Sequence, residues 1–248
     1  MRKLLAVLLA LCLVIPCAFA EEVSAETPEP ERYTCGDYTY ILLDDGTAEI
    51  VGYTGCEKSL TIPDSLDGKP VTGIGENAFY NLDFLEEVAI PDGVTCIGSD
   101  AFTDCECLTA ITIPDSVTVI GESAVSHCDC LTGITNPAGV TVIGDGMFDC
   151  CSNLAGITLP EGLTSIGYRA FGYCGSLKEI TLPDSVAGIG ELAFEECTSL
   201  EKIEIPDGVT EIGDMAFLNC NSLTVNVPAN SYAEEYCKEN NIRYTVNP

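Results

Sequence analysis

The chain of 248 residues has no tryptophan, a single histidine and ten basic residues against 39 acidic ones, which gives a formal net charge of −29. Such a charge repels phosphate groups, so nucleic acid and anionic membrane are excluded as partners. No Ser/His/Asp or Cys/His arrangement can be built around His127. No carboxylate pair stands out as facing across a cleft, as a glycosidase would need. We therefore predict that the protein is not an enzyme and has no cofactor.

Long apolar runs are also missing after the first 20 residues, and a bilayer span needs roughly 20 such residues. At the N-terminus, Arg2-Lys3 precedes an apolar run from Leu4 to Ile15 and the small-residue site Ala18-Phe19-Ala20. This pattern predicts a signal peptide over residues 1–20. Its removal takes away two basic residues, which changes the net charge from −29 to −31. We expect a secreted, extracellular protein, either released or associated with the cell surface, with no membrane insertion.

The acidic, proline-bearing stretch over residues 21–32 has little to bury, so we predict that it is a disordered linker.

The dominant feature present is a repeat of 23 residues. An Ile-Gly pair recurs seven times, and its glycines span 213 − 75 = 138 residues, which is six repeats. A strict period of this length predicts a solenoid, in which each unit buries its apolar side against its neighbours. The pairs are Ile74-Gly75, Ile97-Gly98, Ile120-Gly121, Ile143-Gly144, Ile166-Gly167, Ile189-Gly190 and Ile212-Gly213.

One unit illustrates the expected local structure. The segment Glu179-Ile180-Thr181-Leu182 alternates with period two, as in a strand with one buried face. Pro183 cannot donate a ladder hydrogen bond, so pairing ends there. A second short strand is expected to run up to Ile189-Gly190, and Ala193-Phe194 is expected in a helical or 3₁₀ turn. The predicted fold is therefore a β-rich solenoid of short, parallel, stacked strands.

Stacking would turn inward positions into columns of identical side chains, about 4.8 Å apart. One column is aromatic, with Val125 as its exception: Phe79, Phe102, Phe148, Phe171, Phe194 and Phe217. The other is Leu85, Leu108, Leu131, Leu154, Leu177, Leu200 and Leu223.

The unit from Leu108 to Pro114, followed by Val117, Ile120-Gly121, Ala124 and Cys128, resembles the BspA-like class of leucine-rich repeat proteins. These are extracellular surface proteins of bacteria. The resemblance covers residues 71–225 in seven units of one register. It implies a curved solenoid, a tendency toward adhesion and host-protein binding, and no catalytic residues.

One unit departs from the pattern, because Asn136 stands where Ile113, Leu159 and Leu182 stand in other units. A polar side chain there must find a hydrogen bond or reach water. Both a local irregularity and a bend or binding notch remain open.

Both ends of a solenoid need caps. In residues 33–70, two alternating segments flank Asp45-Gly46, which predicts a β-hairpin. In residues 226–248, Ser231-Tyr232-Ala233-Glu234 predicts a capped helix, and alternation from Ile242 to Val246 predicts a closing strand. The solenoid between them spans residues 71–225.

Removal of residues 1–20 leaves 15 − 2 = 13 cysteines. Six fall on one inward column, which Leu82 begins, and we interpret them as small buried hydrophobes: Cys105, Cys128, Cys151, Cys174, Cys197 and Cys220. A Cys107–Cys130 or Cys35–Cys56 bridge remains an alternative. Clustered thiolates could hold zinc or an iron–sulfur centre, but the spacing matches no known motif, so we assign no metal ligand.

Acidic residues also recur after the turns, for example Asp115, Glu161, Asp184 and Asp207. We interpret these columns as a solvated edge. Calcium is the alternative, but it needs six to eight oxygens per ion.

Two outward surfaces are candidates for binding. On the main strand, Thr112, Thr135, Thr158 and Thr181 form a flat threonine column, which is also simply a good β surface. Tyr168, Arg169 and Tyr173 form an outward aromatic–arginine cluster, and these residue types dominate binding hot spots.

We therefore predict a non-catalytic binding or adhesion protein whose partner is an extracellular protein or glycan of a host or a neighbouring cell. The alternative is a structural surface or matrix protein without a discrete ligand. The oligomeric state and the ligand do not follow from the sequence.

Overall fold

The computed structural model describes residues 29–247 of the chain. The predicted signal peptide and most of the predicted linker lie outside these residues. Among the described helices, none is long and apolar enough to cross a membrane. The elements are β1 (Arg32–Cys35), β2 (Tyr38–Leu42), β3 (Ala48–Tyr53), β4 (Ser59–Thr61), β5 (Ser65–Leu66), β6 (Lys69–Ile74), β7 (Glu87–Ala89), β8 (Cys96–Ile97), β9 (Ala110–Thr112), β10 (Val119–Ile120), β11 (Gly133–Thr135), β12 (Val142–Ile143), β13 (Gly156–Thr158), β14 (Ser165–Ile166), β15 (Glu179–Thr181), β16 (Gly188–Ile189), β17 (Lys202–Glu204), β18 (Glu211–Ile212), β19 (Thr224–Val227), α1 (Tyr232–Glu239) and β20 (Tyr244–Val246).

Each coil of the solenoid has three sides, and equivalent residues of successive coils stack in register. The first side carries the strands of three or four residues, such as β15 and β17, which pair in parallel with Ile180 opposite Ile203. The second side carries the two-residue strands, such as β14 and β16, with Ile166 opposite Ile189. The third side carries the Ala-Phe segment. The predicted solenoid of parallel strands, with a repeat of 23 residues per coil, is therefore confirmed.

The third side is more irregular than the helical or 3₁₀ turn expected from the sequence. In each coil, two residues of this segment adopt left-handed backbone conformations, for example Arg169 at φ 49° and Tyr173 at φ 58°. These residues break any helix after a single turn. Their N–H groups, and that of Phe171 between them, point along the rod and donate to the next coil: Arg169 to Glu191 O, Phe171 to Ala193 O and Tyr173 to Glu195 O, at 2.7–3.0 Å. The third side is thus a backbone ladder in its own right.

The glycine of the Ile-Gly pair permits the close approach of one coil to the next. A Cβ atom on Gly190 would lie 2.5 Å from the carbonyl carbon of Gly167, and one on Gly213 would lie 2.3 Å from the nitrogen of Glu191. Side chains cannot occupy that space, so the repeat requires glycine here. Gly144 is different, because a Cβ on it would find its nearest neighbour, Gly121 O, at 3.7 Å.

This difference marks an opening in the second side of the rod, where one sheet ends at β10 and the next begins at β12. Ile120 is half-buried, whereas Ile97 and Ile143 are 1% and 0% exposed. The third side stays continuous across this junction: Ser123, Val125 and His127 donate to the carbonyls of Asp145, Met147 and Asp149 at 2.8–3.2 Å. We name the gap between β10 (Val119–Ile120) and β12 (Val142–Ile143) the mid-rod junction. The first side also divides nearby, because β11 and β13 form a sheet of their own.

An aromatic column runs through the core and is completed by the caps. Phe148, Phe171, Phe194 and Phe217 stack with centroids 5.3–5.5 Å apart, and Phe79 stacks on Phe102 at 5.1 Å. Val125 separates the two stacks, as the sequence indicated. At the ends, Tyr53 lies 5.5 Å from Phe79 and Tyr236 lies 6.3 Å from Phe217.

The N-terminal cap contains the predicted hairpin, since β2 and β3 pair antiparallel. A further strand, β1, adds to its edge. Arg32, the last residue assigned to the disordered linker, is the first residue of β1, so the linker boundary was wrong at that end. Alternation was too short to reveal β1, which forms because β2 offers an open edge.

At the other end, α1 begins after Ser231, whose hydroxyl accepts from the Glu234 N–H as the capping box requires. The phenol of Tyr236 donates to Gly213 O and accepts from the N–H of Ala216. The closing strand β20 then pairs with β19. The helix and strand expected at this end are both present.

Phe171 is fully buried between two rings, so the Phe171→Ala variant should lose about 3–5 kcal/mol of unfolding free energy. Urea denaturation followed by circular dichroism measures this loss. The control is Tyr232→Ala, since Tyr232 is 45% exposed and should change stability by less than about 0.5 kcal/mol. Equal midpoints for both variants would refute the aromatic column.

The glycine column supplies a matched pair of substitutions. Gly190→Ala should destabilise the protein by about 1–3 kcal/mol, because the new methyl group collides with backbone. Gly144→Ala meets nothing closer than 3.7 Å and should be nearly neutral. Thermal melts of the two variants test the mid-rod junction directly: a similar loss in both would show that no opening exists at Gly144.

Candidate functional site

The predicted aromatic–arginine cluster forms on the third side of the coil. Tyr168 and Tyr173 are 43% and 42% exposed, and the Arg169 guanidinium lies 5.3 Å from the Tyr173 ring centroid in a cation–π arrangement. Arg169 also lies 3.1 Å from a carboxylate oxygen of Glu195 and 3.9 Å from one of Asp149. The three predicted residues are therefore brought together, with two carboxylates the sequence analysis did not assign to them. We name these five residues the tyrosine patch.

The arginine of this patch is held by its own neighbours. Partial desolvation would lower the pKa of Arg169, but the carboxylates of Asp149 and Glu195 outweigh it and raise that pKa. Desolvation raises the pKa of Asp149, and the Arg169 charge opposes that rise. Because Arg169 is paired with carboxylates of the protein itself, the patch offers a ligand two exposed tyrosine rings and not a free positive charge.

The threonine column lies on the first side, away from the tyrosine patch. Thr112, Thr158 and Thr181 are exposed, and Thr135 lies in β11. A shallow groove of about 540 Å³ opens there over Gly133 and Gly156, between Thr112 and Thr158. The two surfaces predicted from the sequence, the threonine column and the tyrosine patch, therefore lie on different sides of the rod and do not form one site.

Asn136 lies directly after β11, near this groove. It is 5% exposed, and neither its amide nitrogen nor its amide oxygen has a hydrogen-bond partner. A buried, unpaired amide costs about 1–3 kcal/mol. Together with Val125 and the mid-rod junction, this residue makes the coil from 124 to 144 the most irregular of the rod.

The six inward cysteines are more than small hydrophobes. Each is buried, and each thiol lies 3.0–3.3 Å from the carbonyl oxygen of the residue 26 positions earlier, a phenylalanine in all cases but one. The thiol donates a weak hydrogen bond that ties each coil to the one before it. Burial raises the pKa of Cys105 and Cys151 to about 12, so these thiols are not ionised at neutral pH.

Every cysteine from Cys35 to Cys237 is a free thiol. The Cys107–Cys130 and Cys35–Cys56 bridges kept open by the sequence analysis are therefore not formed in this structure.

The structure also brings together His127, Asp149 and Cys150, whose ligand atoms all lie within 4.8 Å of one another. The sequence analysis assigned no role to this group, because the three residues are 22 and 23 positions apart and none belongs to a known motif. The repeat length itself was the available signal, since residues 23 apart become neighbours in adjacent coils.

Comparisons with known proteins agree with the fold. The family model for the BspA type leucine-rich repeat region matches residues 72–187 and 164–244, in six copies. A leucine-rich cell surface protein from Faecalibacterium prausnitzii A2-165 is 34% identical, with a TM-score of 0.59, over 80% of this chain and 71% of its own. A leucine-rich repeat protein from T. pallidum is 26% identical, with a TM-score of 0.57, over 88% of this chain and 98% of its own. No match was found among curated proteins.

Thiol labelling should divide the 13 described cysteines into two classes. Seven are buried, whereas Cys35, Cys56, Cys96, Cys107, Cys130 and Cys150 are exposed or half-buried. We expect the reduced, native protein to react with Ellman's reagent at no more than these six thiols within minutes, and at all 13 after unfolding. Mass spectrometry of alkylated peptides assigns the sites. Rapid native labelling of Cys174 would contradict its place in the core.

Proposed function

The chain belongs to the BspA-type leucine-rich repeat family, and we propose on that basis that it is a secreted or surface-associated, non-catalytic protein that binds an extracellular protein or glycan. The predicted signal peptide supports export, and the F. prausnitzii relative is described as a cell surface protein. A solenoid presents long concave or flat surfaces to a partner, and the groove over the threonine column is shallow.

The observation that carries the proposal is the tyrosine patch. The rest of the described repeat surface is acidic and poor in aromatics, with Tyr80 as a single exposed ring. Tyr168 and Tyr173 expose over two fifths of their surface on either side of Arg169 in the chain, and the Arg169 guanidinium lies 5.3 Å from the Tyr173 ring centroid. Tyrosine contributes large contact areas at a small cost in side-chain entropy, and clusters of Tyr and Arg dominate binding energy. We therefore place the main contact on the third side of the rod.

The charge of the protein limits the partner. With a net charge of −29 before export, long-range forces favour neutral or basic partners and slow the approach of anionic ones. A neutral glycan would stack on the tyrosine rings. A protein partner would bring lysine or arginine to an exposed carboxylate beside the patch, such as that of Glu191. Sulfated glycans are disfavoured for the same electrostatic reason.

The test is a binding screen with residues 21–248 against extracellular matrix proteins and neutral glycans, read by biolayer interferometry. A saturable partner should bind at least about tenfold more weakly to a Tyr168→Ser, Tyr173→Asn double variant. Removing two hot-spot side chains should cost more than about 1.4 kcal/mol of binding free energy, which corresponds to a tenfold rise in Kd. Asparagine suits position 173, since Asn81 and Asn219 hold the same left-handed conformation in their coils.

The matched control is Tyr232→Ala, which removes an equally exposed tyrosine, 45%, from α1. It should bind like the unmodified protein, and all variants should melt alike. A partner whose affinity is unchanged by the double variant would move the site elsewhere. No saturable partner, together with self-association in sedimentation velocity, would favour the structural matrix role instead.

A further inference from the structure

His127, Asp149 and Cys150 bring one nitrogen, one oxygen and one sulfur ligand to a single place on the third side of the rod. Their ligand atoms lie within 4.8 Å of one another. His127 is exposed, and Asp149 and Cys150 are half-buried, so the place is open to solvent yet sheltered on one flank.

The backbone around these three residues is fixed by the ladder of the third side. His127 and Cys150 are both left-handed, at φ 53° and 60°. The His127 N–H donates to Asp149 O at 2.8 Å, and the Cys150 N–H donates to Gly172 O at 2.8 Å. The three side chains are therefore carried on fixed backbone, and binding of one ion would require them to rotate toward each other.

Thr103, Ser126 and Asp149 occupy equivalent positions in three successive coils and form a polar column. Within it, the hydroxyls of Thr103 and Ser126 are hydrogen-bonded at 3.0 Å. The Asp149 carboxylate leans over Gly172, where a Cβ atom would lie 2.4 Å from Oδ1. That oxygen is buried and has no hydrogen-bond partner. The nearest cation, the Arg169 guanidinium, lies 3.9 Å away and is held by Glu195 at 3.1 Å. This oxygen, on the side of Gly172 and Arg169, thus has no hydrogen bond within the protein.

We propose that His127, Asp149 and Cys150 form a zinc site, with water as the fourth ligand. Imidazole, carboxylate and thiolate are zinc ligands, bound at about 2.0–2.3 Å in tetrahedral geometry. Calcium and magnesium prefer all-oxygen sites, so the nitrogen and sulfur select against them. Asp104 lies nearby, with a carboxylate oxygen 4.0 Å from His127 Nδ1. That distance is too long for a hydrogen bond, so Asp104 could orient a metal-bound histidine only after the imidazole rotates toward it.

The ion would join two adjacent coils. His127 belongs to the coil before the mid-rod junction and Asp149 and Cys150 to the coil after it, and at this junction the sheet of the second side is interrupted. Zinc would therefore reinforce the side that already holds the two halves together. Because it binds only the folded arrangement, it should also raise the melting temperature.

His127 is the sole histidine, which gives this site an unambiguous probe. Reduced protein comprising residues 21–248 is titrated with zinc chloride, and the imidazole resonances are followed by NMR. One equivalent of zinc should move the single set of imidazole signals, and cobalt should give a thiolate-to-metal absorption band. Imidazole chemical shifts that stay unchanged after one equivalent of zinc would overturn the proposal, even if other thiols bind the metal.

Two variants separate this site from adventitious binding to other thiols. Cys150→Ser should weaken zinc binding at His127 by at least about tenfold, because losing a ligand costs no less than the roughly 10–100-fold that loss of an outer-shell partner costs. Cys107→Ser removes an exposed thiol elsewhere and should leave the His127 shift and the gain in melting temperature unchanged. Equal effects of the two variants would refute the role of Cys150. The zinc test is independent of any partner, so it can fail while the binding function stands.

Discussion

Backbone hydrogen bonding between neighbouring coils is the constraint on which the rest of this structure depends. Coils stack at about 4.8 Å, and all three sides contribute bonds at that spacing. Glycine after the second strand follows directly, because no Cβ fits between coils at Gly190 or Gly213. The left-handed residues of the third side belong to the same arrangement, since their N–H groups also donate to the next coil. Side chains then fill the columns that the backbone has already aligned.

Much of this arrangement could be predicted from the period alone. A 23-residue repeat of Ile-Gly, Phe and Leu places like residues above one another, so the columns, the parallel strands and the core were all accessible from the sequence. The third-side ladder was not, because its left-handed positions are occupied by residues as different as Arg169, Leu192 and Met215. Asn and Asp, which favour the left-handed region, do hold these positions in the first two coils, for example Asn77 and Asp100, but most of the later coils lack that signal.

The candidate sites, too, could be predicted only in part from the sequence. Tyr168, Arg169 and Tyr173 were recognisable as an outward cluster, since two aromatics and an arginine are rare in this acidic chain. Their partners Asp149 and Glu195 were not, because they come from the coils before and after. Grouping His127 with Cys150 required only the repeat length, and Asp149 is the chain neighbour of Cys150. The fold thus concentrates aromatic rings, charges and metal-ligand types along one side of three consecutive coils.

The mid-rod junction gives the molecule a preferred axis of flexure. Strands β10 and β12 belong to different sheets, while three backbone bonds from Ser123, Val125 and His127 continue across the third side. A beam fastened along only one edge is compliant in a single direction, so the two halves can swing open on the strand sides while the fastened edge keeps its length. Tension along the rod would be absorbed there first, and the tyrosines on the fastened edge would keep their relative positions while the rest of the rod changes its curvature.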